Sequence, residues 1–352
     1  MRLRESDADG SDEAMAREVE HRPVERQGNS RRDGSGRPVV SVIVPSYNKP
    51  EYLPECLRSI QNQTFTEWEC IVVSDGSPRV EEIRAAVASM NDPRFRLVEH
   101  ERNRGPAAAR NTGAKAARGD WLLCVDEDDA VAPECVEVLL STALTRGVDL
   151  VHPQVRFHNG KLSGRRYVLP DPIQTLHSQP LLGVGFLIRR STWEELGGYD
   201  ESPDVDGRED TEWWIRVLHG GVHLLVIDDP LYIYRPPKED SREASQNIRS
   251  MARERRIRQY IVRKHTTLYW GREWAQRRML AKGYWWEGYW NWIHRRWCKG
   301  FLLMGMSIVI SPTVHGLNSL AGIVMRTGKG LVVDWLGRAS PRAEGFDGQG
   351  QG

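Results

Sequence analysis

Gly119-Asp-Trp-Leu-Leu-Cys-Val-Asp-Glu-Asp-Asp129 is an apolar run that stops at four consecutive acids. The run 121–125 reads as a buried strand. Acids at its end then project from the C-terminal edge of the sheet, where open α/β folds take their ligands. Packed carboxylates repel one another, and folding alone gives no reason to keep them. A hard divalent cation bridging to phosphates supplies such a reason.

Working outward, residues 39–44 form a nearly continuous apolar strand ending at Pro45. Leu53, Cys56, Leu57 and Ile60 then fall at the i, i+3, i+4, i+7 spacing of a helix. A second buried strand at 70–73 runs into Ser74-Asp75-Gly76-Ser77, and a short third covers 95–98. Pro106 suits the first position of an Ala-rich helix reaching residue 118. Further on, 184–188 reads as a strand, and Ser191 with Glu194 forms a capping-box pattern for a short helix. Gly197-Gly198 stops that helix. Glu209-Asp210 precedes Trp213, Trp214, Val217 and Leu218, the apolar face of another helix, where acids suit the N-terminus. Strands alternating with helices predict an α/β fold with a doubly wound, mainly parallel, Rossmann-like sheet. In that arrangement the polar clusters 45–48, 75–77 and 126–129 share one edge.

The 352 residues carry a net charge of +1, so no global charge draws the chain to nucleic acid. The five cysteines, Cys56, Cys70, Cys124, Cys135 and Cys298, include no CxxC pair and no metal-ligand spacing, which fits a reduced cytosolic protein. The start, Met-Arg-Leu-Arg-Glu-Ser-Asp, lacks the apolar stretch of a signal peptide. The longest apolar run, 301–310, is half of what a bilayer-spanning helix needs. Composition divides the chain into three parts. Residues 1–37 hold no aromatics and are expected to be disordered. Residues 38–235 carry the α/β pattern. Residues 236–352 form a basic, Trp-rich helical C-terminal region: between 236 and 299 there are 16 Lys and Arg against 6 Asp and Glu.

With these motifs in view, the chain resembles the family 2 glycosyltransferases, which have the GT-A nucleotide-sugar fold. The matching stretches are Val40-Ser-Val-Ile-Val-Pro-Ser-Tyr-Asn48, Val72-Val-Ser-Asp-Gly-Ser77, Asn103-Arg-Gly-Pro-Ala-Ala-Ala-Arg-Asn111 and Val125-Asp-Glu-Asp-Asp129. Leu196-Gly-Gly-Tyr-Asp200 and Gly207-Arg-Glu-Asp-Thr-Glu-Trp213 follow in the family's order. The QxxRW motif of processive members is missing, and 236–352 matches no named motif.

The resemblance implies a metal-dependent, inverting, non-processive transfer of a sugar from a nucleotide-sugar donor (UDP-, GDP- or dTDP-linked) to a hydroxyl. It places Mn²⁺ or Mg²⁺ at the DxD pair, with Asp128 the main ligand and Asp126 nearer the ribose and the metal's waters. Asp129 either joins that cluster or caps the next helix. Pro45, Tyr47, Asn48 and Asp75 match the nucleotide pocket, with Tyr47 stacking on the base. Arg110 reaches the nucleotide or its phosphates, or is a surface arginine. Asp210 is implied as the catalytic base, with Glu209 as the alternate. Many relatives carry a histidine soon after the Tyr-Arg that closes the domain; here Tyr234-Arg235 has none behind it, and Lys238 or Arg242 is left to meet the diphosphate.

The tail mixes Trp, Arg and short apolar segments, including 284–297, 301–310 and 316–336. That mixture suits either an anionic membrane surface, at the inner face of the cell membrane, or a helical subdomain with Trp in its core. No nucleic-acid recognition motif is present. The expected acceptor is a glycan or a lipid-linked sugar, in cell-surface polysaccharide or glycolipid synthesis. Two other readings compete. A nucleotidyltransferase on a similar fold would want a Gly-rich, basic loop after the first strand, and Ser46-Tyr47-Asn48 is not one. A non-catalytic nucleotide-sugar-binding protein would not need Asp210.

Overall fold

The computed structural model describes residues 37–161, 167–168, 172, 176, 183–236, 242–293 and 296–311. The expected disorder of 1–37 (Arg37 apart), Lys238 and the stretch 316–336 lie outside them. In chain order the elements are β1 Val40–Ser46, α1 Leu53–Gln61, β2 Trp68–Asp75, α2 Val80–Ser89, β3 Phe95–His100, α3 Pro106–Ala116, β4 Trp121–Cys124, β5 Ala130–Val131 and α4 Cys135–Arg146. They continue with β6 Leu150–His152, β7 Val155–Phe157, β8 Leu187–Arg189, α5 Arg190–Glu195, α6 Glu209–His219, β9 Leu224–Val226 and β10 Tyr232–Tyr234. Three helices follow: α7 Arg242–Lys264, α8 Glu273–Ile293 and α9 Trp297–Ile310.

The main sheet runs β3-β2-β1-β4-β8-β6-β9. β1 pairs in parallel with both β2 and β4, and β2 with β3, so the expected doubly wound core is present. β8 departs from it by running antiparallel to β4 and β6. A small second sheet, β5-β10-β7, lies beside the acid run. β1 is apolar at nearly every position because both its faces are covered. Val40, Val42 and Val44 pack with α1, α2 and α4. Ile43 packs on the other side with the alanines of α3 and with Trp213 and Trp214 of α6. The small residues of α3 let it lie close on the sheet: a Cβ on Gly113 would come within 2.4 Å of Ile43 Cγ2.

Several local expectations change. Pro45 lies inside β1, opposite Val73, rather than at its end. The pairing of β1 with β4 stops at Ile43, so less of the ladder is at stake near the proline. The strand expected at 184–188 begins only at Leu187. Gly185, at φ +93°, turns the chain there, and a Cβ on it would meet the Tyr232 ring at 2.3 Å. The Ser191–Glu194 capping box does not form: α5 starts at Arg190, its N-cap is Arg189, two residues before Ser191, and no side chain caps it. Gly197 and Gly198 do take left-handed conformations, at φ +78° and +70°.

The change in composition at 236 is not a break in packing. Ile257, Ile261 and Val262 of α7 share a buried cluster with Val205 and with Ile215 of α6.

Gly113→Ala tests the packing of α3. Replacing a helical glycine by alanine normally gains about 1 kcal/mol. Here overpacking against Ile43 costs about 1–3 kcal/mol. The expected outcome is a lower denaturant midpoint with an unchanged m-value; a higher midpoint would contradict the close approach.

Candidate active site

The three polar clusters meet at the C-terminal edge of β1, β2 and β4. β1 hands over to Tyr47, 43 % exposed, and to Asn48, which holds a left-handed φ of 64°. The Asn48 amide donates to Ser77 Oγ at 3.2 Å, tying the first cluster to the second. Asp75 is buried. Its Oδ1 accepts from His100 Nδ1 at 2.7 Å and from the Arg104 amide at 2.9 Å; its Oδ2 accepts from the Gly105 amide at 2.8 Å. Both carboxylate oxygens therefore anchor the loop that leads into α3. That loop crosses Gly76 so closely that a Cβ there would lie 2.2 Å from the Arg102 carbonyl carbon.

The four acids after β4 have four different settings. Asp126 and Asp128 are half-buried and each meets a cation: Arg110 Nη2 to Asp126 Oδ1 at 2.8 Å, and Lys49 Nζ to Asp128 Oδ2 at 2.8 Å. Glu127 is buried and turns back to β1, accepting from Ser46 Oγ and from the Tyr47 amide. Burial, together with the neighbouring Asp128 charge, pushes its pKa up to about 7. Asp129 is not a helix cap, since the next helix begins at Cys135 behind Glu134. It accepts from the Tyr232 hydroxyl at 2.7 Å and from the Arg235 amide at 2.8 Å, and burial raises its pKa well above the usual carboxylate range.

The same Tyr232 oxygen accepts from the Asp126 amide at 3.3 Å, and Arg235 Nε donates to the Asp128 carbonyl at 3.0 Å. Tyr232 and Arg235 thus hold the acid run through its backbone and Asp129, and Lys49 through the Asp128 carboxylate, and sequence reasoning missed all three as site residues. In the sequence, Tyr234-Arg235 marks only the end of the domain.

Arg110 joins this edge to the acids of α6. It is 4 % exposed, so it is not a surface arginine. Its Nη1 lies 3.9 Å from Glu209 Oε1, and its guanidinium sits over the Tyr199 ring at 5.3 Å. Among the described residues, no hydrogen-bond partner is present for its Nε and Nη1 or for the buried Asp210 Oδ1. Burial raises the Asp210 pKa, with Arg110 opposing. Burial also lifts Glu209 to about 7, helped by the Asp210 charge and opposed by Arg110. The helix N-terminus lowers the basicity of both acids; burial wins. Asn111, next to Arg110, grips the Tyr199 backbone in both directions at 2.8 Å and so fixes the loop before α6.

Asp126 and Asp128 offer hard oxygen donors. Among the described residues, no group of three or more His, Cys, Asp or Glu side chains is placed to hold a metal. This donor set fits a cation that takes one or two carboxylates and completes its shell with phosphate oxygens and water, as Mg²⁺ does. Of the two residues suggested for the diphosphate, Lys238 lies outside the described residues and Arg242 opens α7.

Residues 41–194 match the family described as Glycosyl transferase family 2. Among curated proteins, the uncharacterized glycosyltransferase EpsJ of Bacillus subtilis is 32% identical over 216 residues, 56% of this chain and 61% of EpsJ. The succinoglycan biosynthesis protein ExoO of Rhizobium meliloti is 36% identical over 113 residues, 32% of each chain. The chain therefore spans less than two thirds of these relatives. Among solved structures, the mannosyltransferase PcManGT of Pyrobaculum calidifontis, in complex with GDP-Man and Mn²⁺, superposes with a TM-score of 0.54 at 18% identity. That superposition covers 84% of this chain and 81% of PcManGT, and it establishes a common fold. The similarity to glycosyl transferase family 2 is carried by residues 41–194.

Glu127 gives this site a pH signature. A carboxyl whose folded pKa lies above its unfolded value favours folding most at low pH. That contribution is full below the ordinary 4.5 and is lost as pH rises through about 7. Glu127→Gln can accept from the Tyr47 amide and donate to Ser46 Oγ, and it cannot ionise. It is expected to stabilise the fold by about 1–3 kcal/mol at alkaline pH and by much less near pH 4. Equal unfolding temperatures for the two proteins at alkaline pH would contradict the buried carboxyl.

Proposed function

We propose that the chain is a metal-dependent, inverting, non-processive glycosyltransferase that moves a sugar from a nucleotide-sugar donor to a hydroxyl acceptor. One observation carries this reading: the buried Arg110 brings the DxD acids and the Glu209–Asp210 pair to a single sheet edge, at 2.8 and 3.9 Å. The exposed ring of Tyr47 is available to stack on the donor base, beside Pro45 and Asn48. Asp75 serves the nucleotide side by holding the loop of residues 101–105, and Arg110 serves it by holding Asp126. Asp210 takes the acceptor proton as the acceptor oxygen bonds to the anomeric carbon and the diphosphate leaves with its electron pair. A raised pKa suits it to that task; Glu209 is the alternate. Mn²⁺ or Mg²⁺, when bound, would be held by Asp126 and Asp128 and would neutralise charge on the leaving diphosphate.

The similarity to ExoO supports a role in cell-surface polysaccharide synthesis, with a glycan or lipid-linked acceptor. Our reading extends to a site at the inner, cytoplasmic face of the membrane. No helix among the described residues is long and apolar enough to cross a bilayer. α9 nonetheless presents Phe301, Leu302 and Val309 at 44%, 64% and 83% exposure, behind the exposed Lys299. That combination fits the surface of an anionic bilayer.

The donor is tested by thermal unfolding with UDP-, GDP- and dTDP-sugars, with and without Mn²⁺. One of them is expected to stabilise the protein, and more so with the metal; no stabilisation by any would contradict the reading. Asp210→Asn is expected to cut turnover by about 10² to 10⁴ and to leave nucleotide binding intact. An equal loss of binding would make Asp210 a binding residue instead. For the membrane, Leu302→Glu with Val309→Glu is expected to abolish low-salt binding to anionic vesicles with the unfolding temperature unchanged. Vesicle binding as strong as the parent's would remove α9 from the membrane surface.

A further inference from the structure

The acids Glu209 and Asp210 open α6, and the chain reaches them through Gly207, at φ +84°. The preceding segment, 199–208, contains no strand or helix. Its start is tied to the α/β body: Asn111 holds Tyr199, and Arg104 pairs with Glu201 at 2.9 Å. From residue 203 onward its side-chain anchors lie on α7. Arg253 Nη1 donates to Asp206 Oδ2 at 2.8 Å, and its Nη2 donates to the Pro203 carbonyl. Glu254 is fully buried and accepts from Arg208 Nε at 3.1 Å; Arg258 Nε, at 2.7 Å, occupies its other oxygen. Val205 is buried among Ile257 and Ile261.

One turn further on, α7 grips both flanks of the segment. Tyr260 Oη donates to Asp200 Oδ2 at 2.8 Å. Lys264 Nζ bridges Asp200 and the buried Glu212 of α6, at 2.7 Å to each. The gripping positions 253, 254, 257, 260, 261 and 264 repeat at helical spacing, so one face of α7 follows the whole segment. A basic helix facing solvent or lipid would have no reason to bury a glutamate, and Glu254 is matched to Arg208, the residue immediately before the acid pair.

We propose that α7 is a clamp that positions the catalytic acids, with the Glu254–Arg208 ion pair as its key contact. The inference rests on the reading of Asp210 as base, and it makes the C-terminal region part of the catalytic apparatus. Glu254 is a positioning residue: it acts through Arg208 and Gly207 on the first turn of α6. Displacing a catalytic group by about 1 Å through a remote change lowers turnover by about 10²-fold.

The test is Glu254→Gln in the full chain, read in two ways. The first is amide hydrogen exchange, which needs no substrate. Exchange across residues 207–212 is expected to quicken by about ten-fold or more, with β1 and β4 unchanged. The second is release of nucleoside diphosphate from UDP-glucose, UDP-GlcNAc or GDP-mannose, whichever the parent turns over. The turnover number is expected to fall about 10- to 100-fold, with the dissociation constant of UDP or GDP unchanged, and Glu254→Asp is expected to recover most of the loss. Unchanged exchange across 207–212 overturns the clamp. Quickened exchange with full turnover overturns its catalytic role. If Glu254→Gln does not fold, Arg253→Ala cuts the exposed end of the same grip and is expected to give the smaller version of both effects; no change in either overturns the proposal. If Asp210→Asn keeps full turnover while Glu254→Gln loosens 207–212, the base assignment fails and the clamp stands.

Discussion

The buried guanidinium of Arg110 is the interaction on which the rest of the site depends. Six carboxyl groups, Asp126 to Asp129 with Glu209 and Asp210, gather at one end of one sheet. Burial pushes four of them, Glu127, Asp129, Glu209 and Asp210, toward the protonated form. A fold that concentrates acids in this way needs a buried cation between them, because an uncompensated buried charge costs several kcal/mol. Arg110 supplies it from α3, and α3 can bring it there because its other inward positions are small enough to lie against β1 and β2. Packing of the alanines and Gly113 on Ile43 therefore has an electrostatic consequence within the same turn of helix.

The remaining contacts divide the acids by task. Glu127 and Asp129 are turned inward and spend their oxygens on Ser46, Tyr47, Tyr232 and Arg235. Asp126 and Asp128 stay half-open, each meeting a single cation. On the proposed reading, a divalent ion and a diphosphate would bring positive and negative charge together there, so Arg110 and Lys49 could keep partners as the acids exchange theirs. Asp210 Oδ1 and Arg110 Nε and Nη1, without hydrogen-bond partners among the described residues, would be completed by a polar ligand.

Much of this was legible in the sequence, for physical reasons. Strands covered on both faces are apolar throughout, so β1, β2 and β4 and the polar ends that define the edge could be read from composition. Acids just before Trp213 and Trp214 marked the start of α6. What could not be read depends on contacts far apart in the chain. Tyr232 and Arg235 meet Asp129 across more than a hundred residues, and nothing near Asp129 distinguishes that setting from a helix cap. Ser191 and Glu194 have the spacing of a capping box, but the chain enters α5 directly from β8 and leaves the serine inside the helix. The basic region after 236 gave the strongest ambiguity. Arginines that meet lipid and arginines that meet Asp206 or Glu254 have the same local pattern, and only the fold sorts them.

The central claim is that two carboxylates of this edge hold a divalent ion together with a nucleoside diphosphate. Electron paramagnetic resonance of Mn²⁺ added to the full chain addresses it directly. With only two protein carboxylates available, Mn²⁺ alone is expected to stay largely in its free aqueous form. Adding UDP, GDP or dTDP is expected to convert it to a protein-bound signal that Asp128→Asn removes. A bound signal that forms without nucleotide and survives Asp128→Asn, or no bound signal with any of the three, would contradict the account.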